Sequence, residues 1–325
     1  MKTTRGRSAL YARVERALAL NRKAQLNFPG LFMDLTGRLT GDDGIALELS
    51  GDPTFRNAAG EPNWLALGVL VDVALGAVTR LRAGPEMRPA TVRLDMQMTG
   101  APGPGAVVAD ASFVSFSENT KISHALTAAV IRAGDAVIAH ATGAFVMFDL
   151  PGGATQGQLP WLPEELASAA PEAVEFDDQE RAALKACRRA EAAATETHPF
   201  IDHFWCGIPS VREDKASLDV AVTPHLGNRV GQVHGGVLLG MAARVASAAV
   251  PSDMRLSNIT AWFVSPGLPP RLKVRSTVVQ RGRTLAVVRT RITGAESKLV
   301  LDVTSQHLTA KSDITIQRET HGLPP

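Results

Sequence analysis

Two stretches of the chain hold residues able to do chemistry. Between Trp64 and Val78 every side chain is uncharged except Asp72, which sits among Leu67, Val69, Leu70, Val71, Val73 and Leu75. An ionised carboxylate buried in such company is costly unless it is paired or used. Asp72 is therefore a candidate general base for a water molecule, or a nucleophile in its own right. The second stretch, Asn228-Arg229-Val230-Gly231-Gln232-Val233-His234-Gly235-Gly236, opens the apolar run from Val237 to Val250, and Pro251 follows. A loop that feeds a buried helix leaves the first backbone N–H groups unpaired at the positive end of the helix dipole. With no side chains in the way, the amides of Gly235 and Gly236 suit an oxygen that gains negative charge, as in acyl transfer. Asn228 adds a side-chain amide to the donor set, and His234 either shapes the loop or acts as acid or base.

The two stretches are related by an internal repeat. Sliding the chain on itself by 171 residues places Pro53, Asn57, Gly60 and Leu67 on Pro224, Asn228, Gly231 and Leu238 without a gap. At that offset His234 meets Asn63, and Ala243 meets Asp72. The reading is of two repeats, each damaged where the other is intact. Residues 1–150 form the first, which keeps the acid and lacks His-Gly-Gly. Residues 151–180, rich in Pro, Gly, Ala and acids, form a linker with a short helix at 164–170. Residues 181–325 form the second, which keeps Asn228 and His-Gly-Gly and lacks the acid.

The elements that must position these residues follow the same order in each half. Apolar residues at helical spacing predict an amphipathic helix over 9–27, echoed over 179–195, each with basic residues between. A strand at 44–49, the loop 53–62 and a central helix over 64–78 come next. Alternating segments at 91–98, 106–116, 121–132 and 136–148 read as antiparallel strands, with turns at 100–103, 117–119 and 134–135. The second half predicts strands near 217–222, 258–264, 272–280, 284–292 and 299–308. The fold class is α+β: a long central helix followed by a strand meander, twice.

Asn-x2-Gly-x2-His-Gly-Gly ahead of a buried helix resembles the active-site signature of hot-dog-fold acyl-CoA thioesterases of the PaaI-like type. The resemblance implies two tandem hot-dog repeats packed as a pseudo-dimer, each a helix wrapped by an antiparallel sheet. It also implies that the first glycine amide and the Asn orient the thioester, and that an Asp nine residues after the His activates water. Here the ninth residue after His234 is Ala243. Nine residues span about 13.5 Å of helix axis, so a helix start and its own ninth residue never share a carbonyl. With the central helices antiparallel about a pseudo-two-fold axis, as the resemblance implies, the start of one lies beside the middle of the other. Asn228, His234 and Gly235 would then face Asp72, with Gly236 and Thr91 beside the substrate. The opposite site would join Asn63-Trp64-Leu65 to Ala243, with neither glycines nor acid. One live and one dead site per chain are expected, with a tunnel for the acyl group along the apolar helix faces.

The remaining residues bound the function. A net charge of +2 from 34 basic and 32 acidic residues offers no field for nucleic acid or membrane, which leaves a small molecule, acyl-CoA, as the expected partner. Arg281 and Arg283, at the tip of a hairpin, are candidates for the phosphates of coenzyme A. Cys187 and Cys206 lack metal-ligand spacing and read as reduced thiols of a cytoplasmic protein, and no metal or other cofactor is expected. No apolar run is expected to reach the length of a membrane span. A homodimer of the double chain fits this architecture. Two rival functions stay open: a hot-dog hydratase or dehydratase, for which His203-Phe204-Trp205 offers a poor match to a catalytic His segment, and a non-catalytic acyl-CoA binder.

Overall fold

The computed structural model describes residues 8–24, 27–100, 105–117, 124–150, 152, 155, 159, 161–162, 175–228 and 231–310. In the first half α1 (Ala9–Ala24) and the short α2 (Phe28–Phe32) precede β1 (Thr36–Leu39) and β2 (Gly44–Leu49). The central helix α3 (Trp64–Ala83) follows, then β3 (Met87–Met98), β4 (Val107–Ser117), β5 (His124–Ala133) and β6 (Ala136–Asp149). The second half repeats the order with α4 (Asp178–Ala193), α5 (Phe200–Trp205), β7 (Ser210–Arg212), β8 (Lys215–Ala221) and its central helix α6 (Gly235–Ala248). It closes with β9 (Met254–Phe263), β10 (Arg271–Arg281), β11 (Leu285–Thr293) and β12 (Leu299–Thr309). The single-turn helices at Pro53–Phe55 and Pro224–Leu226 keep the 171-residue offset, as do the starts of α3 and α6.

Local chemistry sets the boundaries. Asn63 caps α3, its side-chain oxygen accepting the Leu65 N–H, and His234 occupies the corresponding cap of α6. A capping box of Asp177 and Glu180 starts α4. The helix expected to continue to Asn27 does not include it, because Asn27 instead caps α2: its Oδ1 accepts the Gly30 N–H at 2.8 Å, and Pro29 fills the first turn. The basic face of α1 is spent on ion pairs, Arg13 with Asp34 and Asp52, Arg16 with Asp34 and Arg22 with Glu180. The short elements β1, α2, α5 and β7 carry too few residues to leave a periodic signal. The turns expected at 101–103 and 118–119 and the linker helix at 164–170 fall outside the described residues.

The twelve strands of the described residues join one sheet in the order β1-β2-β4-β5-β6-β3-β9-β12-β11-β10-β8-β7. The halves meet where β3 pairs antiparallel with β9, Arg93 opposite Trp262 through Gln97 opposite Asn258. α3 and α6 lie antiparallel and touch backbone to backbone through glycines. A Cβ on Gly236 would fall 2.3 Å from the Gly68 carbonyl oxygen, and one on Gly240 would fall 2.5 Å from the Leu65 Cα. Contrary to expectation, the 20-residue α3 is long and apolar enough to cross a membrane by length and composition; it is mostly buried, as the core helix of a folded domain is.

Candidate active site

Asp72 lies just short of the midpoint of α3, buried, and faces the first turn of α6. Its Oδ2 accepts the Gly236 N–H at 2.7 Å, and its Oδ1 accepts the Thr91 hydroxyl at 2.9 Å. Both oxygens are thus acceptors, the arrangement an ionised carboxylate needs, and among the described residues no lysine or arginine pairs with it. Thr91 reaches Asp72 because of a β-bulge. Leu94 and Met96 point inward and Arg93 and Asp95 outward, so strict alternation would turn Thr91 outward as well. The register slips between Thr91 and Arg93 against β6, which puts Thr91 opposite the buried Phe145 and under the helix.

The His-Gly-Gly turn divides its labour. The Gly236 N–H is shared between Asp72 and His234, whose Nδ1 lies 3.1 Å from it and 3.4 Å from Asp72 Oδ2. Burial pulls the His234 pKa below the usual imidazole range, against a smaller opposing effect of Asp72. A neutral ring whose Nδ1 accepts carries its proton on Nε2. Gly236 is therefore a packing residue and a partner of Asp72, and its N–H is committed to that carboxylate rather than to substrate. Gly235 differs: its N–H has no acceptor among the described residues, and it is partly exposed. A Cβ there would fall 2.6 Å from Asp72 Oδ2 and 3.3 Å from the ring of Phe263. One unpaired donor at the positive end of a buried helix stands beside one carboxylate from the other half of the chain.

Asn228 sits in the loop, and its side-chain oxygen accepts the Gln232 N–H at 3.0 Å. Asn57, its counterpart in the first half, closes the matching loop by accepting from Ala59 and Glu61. Through its side-chain oxygen the shared asparagine thus braces the turn in both halves, with or without a glycine pair behind it.

Arg281 and Arg283 are not brought to this site. Arg281 pairs with Asp214 at 2.7 Å, and the Arg283 carbonyl accepts from Thr309. Strand register puts Arg281 level with Leu256, seven residues along β9 from Phe263 and so offset by about 23 Å along the strand direction from the Gly235 end. His203-Phe204-Trp205 forms α5, where Phe204 stacks on His225 at 4.4 Å and Trp205 is fully buried. Cys187 and Cys206 are free and buried, and burial pushes each thiol up to about 12.

The opposite end of the helix pair holds more than expected. Asn63 Nδ2 donates to Asp202 Oδ1 at 2.9 Å, and Arg244 Nη1 approaches the same oxygen at 2.8 Å. An acid is present after all, supplied by α5 and matched by an arginine. Sequence reading passed over both residues, although Arg244 is the single charge in the apolar run of α6, the signal that singled out Asp72 in α3.

A family model of the acyl-CoA thioesterase N-terminal domain matches residues 224–307. A comparison with curated proteins returned no significant match. Among solved structures, an oleoyl thioesterase from Lactobacillus plantarum is 12% identical with a TM-score of 0.50, covering 84% of this chain and 99% of its own. A tesB protein from Mycobacterium avium subspecies paratuberculosis is 13% identical with a TM-score of 0.50, covering 85% and 96%. A conserved protein with a hot dog fold from Alicyclobacillus acidocaldarius is 12% identical with a TM-score of 0.50, covering 86% and 97%. At these identities the structural likeness speaks for the fold, over most of the chain, and the family match speaks for the half that holds the glycine turn. The chain has the hot-dog fold over most of its length, and residues 224–307 are similar to the acyl-CoA thioesterase N-terminal domain.

Proposed function

We propose that the chain hydrolyses acyl-CoA thioesters at one composite site, formed by the start of α6 and by Asp72 of α3. The observation that carries this reading is the bond of 2.7 Å from the Gly236 N–H of one repeat to the Asp72 carboxylate of the other, with the unpaired Gly235 N–H beside it. The thioester carbonyl accepts from Gly235 N–H at the positive end of the α6 dipole. Asp72 takes a proton from water as that water attacks the carbonyl carbon, and the oxygen of the tetrahedral intermediate gains charge against the same N–H. Collapse breaks the carbon–sulfur bond, and the proton on Asp72 passes to the departing thiolate. Free acid and coenzyme A leave. Thr91 and Gly236 hold the carboxylate, His234 caps α6, and Asn228 braces the loop.

The test is thiol release from a panel of aryl and straight-chain acyl-CoAs, including the oleoyl thioester that the Lactobacillus protein's name suggests. Wild type is compared with Asp72→Asn and Asp72→Ala, each checked for folding. Turnover by wild type and a loss of roughly 10²- to 10⁴-fold in the folded variants is expected for a general base. Unchanged turnover in those variants would remove Asp72 from the chemistry.

A further inference from the structure

The dead end of the helix pair contains a buried device with one carboxylate oxygen at its centre. Asp202 is 2% exposed, and its Oδ1 takes both the Asn63 amide at 2.9 Å and the Arg244 guanidinium at 2.8 Å. Asn63 is the cap of α3, with its own oxygen on the Leu65 N–H at 3.0 Å; Arg244 belongs to α6. Asp202 therefore ties the start of one central helix to the middle of the other. The live end does the same with different parts, Asp72 of α3 holding the first turn of α6. Between the two ties the helices touch at Gly68, Gly236 and Gly240, where no side chain cushions a shift.

We propose that Asp202 is a positioning residue for the live site: by holding Asn63 and Arg244 together it fixes the register of α3 on α6, and with it the distance from Asp72 to the turn at Gly235 and Gly236. The kinetic half of this inference rests on the hydrolytic reading above; the geometric half does not. About 13.5 Å of rigid helix connects Asn63 to Asp72, so a slip at one end arrives undiminished at the other. Displacements of an ångström in positioned groups cost up to about 10²-fold in rate.

The test must separate register from stability. Removing one member of a buried ion pair strands the other charge, whereas replacing both with apolar residues is often neutral or stabilising. The decisive variant is accordingly the double substitution Asp202→Leu with Arg244→Met, with Asp202→Asn as the conservative partner that still offers an acceptor to both Asn63 and Arg244. Two quantities are measured on the full chain: kcat and KM for a good acyl-CoA, and hydrogen exchange at the Gly236 amide, referenced to core amides in β5 and β11. The expected result for a double variant as heat-stable as wild type is a fall in kcat of about tenfold at nearly constant KM, consistent with a sub-ångström displacement. Gly236 exchange should accelerate while the reference amides stay put, and Asp202→Asn should restore most of both. Wild-type exchange at Gly236 in a stable double variant overturns the proposal. If wild type hydrolyses no thioester, the functional reading fails, and the exchange data alone still decide whether Asp202 sets the register. Should the double variant prove less stable than wild type, Asp202→Asn combined with Arg244→Met, which keeps the Asn63 bond and strands no charge, carries the same two measurements: faster Gly236 exchange with a lower kcat supports the proposal, and wild-type exchange overturns it.

Discussion

The two ends of the α3–α6 pair are built to one plan, and the difference between them shows what makes a helix terminus chemically available. At each end a helix begins with a polar cap, His234 or Asn63, and a buried aspartate stands close by. At the Gly235 end the aspartate comes from the facing helix and, among the described residues, meets N–H and O–H donors but no arginine or lysine. At the Asn63 end it comes from α5 and meets Arg244, which neutralises it. There the helix opens with Trp64 and Leu65, whereas α6 opens with Gly235 and Gly236, so its first amide carries no side chain. One frame thus holds an acid without an arginine or lysine partner among the described residues at one end and an arginine-paired acid at the other.

The largest effects should come from the glycines and should split the pair. A Cβ at Gly236 meets the backbone of Gly68 and Val69 within 2.6 Å, and one at Gly240 meets the backbone of Leu65. Neither helix can move aside without breaking the other contacts, so Gly236→Ala and Gly240→Ala are each expected to cost about 3 kcal/mol of stability, the upper end for overpacking, measured by denaturant unfolding. Gly235→Ala meets only side chains, Asp72 Oδ2 and Phe263. It should fold, displace the carboxylate and lose about 10²-fold in kcat, comparable to removing a good oxyanion donor. A Gly235→Ala enzyme with wild-type kcat would mean that the start of α6 is not where the carbonyl sits.

How much of this was legible depended on whether a residue's role is local. The repeat, both central helices and the four long strands of each half showed in periodicity, because each buries a regular face. Asp72 showed because a charge in an apolar run has to be explained. Thr91 could be named, but the reason it reaches Asp72, a register slip between Thr91 and Arg93, is invisible without the partner strand. Asp202 and Arg244 were missed because their meaning lies in a contact between residues 42 positions apart and with Asn63, 139 positions away from Asp202. The location of Arg281 and Arg283 was hidden for the converse reason: a basic hairpin tip is plain in the sequence, while the end of the sheet on which it falls is set by register.

A second contrast separates the halves in acid. The fully enclosed histidines His225, His234 and His307 all belong to the second repeat, whereas His124 and His140 of the first are not buried. Burial pulls His225 and His307 down from 6.5 to about 4. In the unfolded chain each takes up a proton near pH 6.5, in the native state only near pH 4. Between those values the unfolded state binds more protons, so stability is full above about pH 6.5 and drains away as pH falls toward 4. At pH 5 the loss is about 2 kcal/mol per histidine. Hydrogen exchange at pH 5 should therefore loosen β11 before β5. Equal loosening of both strands would mean that the two repeats unfold as one unit.

The smallest effect expected, and the sharpest test of the live end, is Thr91→Val. The substitution keeps the β-branched shape that the bulge packs beneath α3 and removes only the hydroxyl donated to Asp72 Oδ1 at 2.9 Å. Asp72 would keep the Gly236 N–H, one donor of two, and would be free to turn about its χ2 angle. If Thr91 only aims the carboxylate, kcat should fall about tenfold, the value of one hydrogen bond to a charged group, while KM and the pH profile stay as they were. A fall as deep as that of Asp72→Asn would place the hydroxyl against the attacking water and make Thr91 a catalytic residue. No fall at all would mean that Gly236 alone fixes the acid, and the register that Asp202 maintains would then carry the whole burden of positioning it.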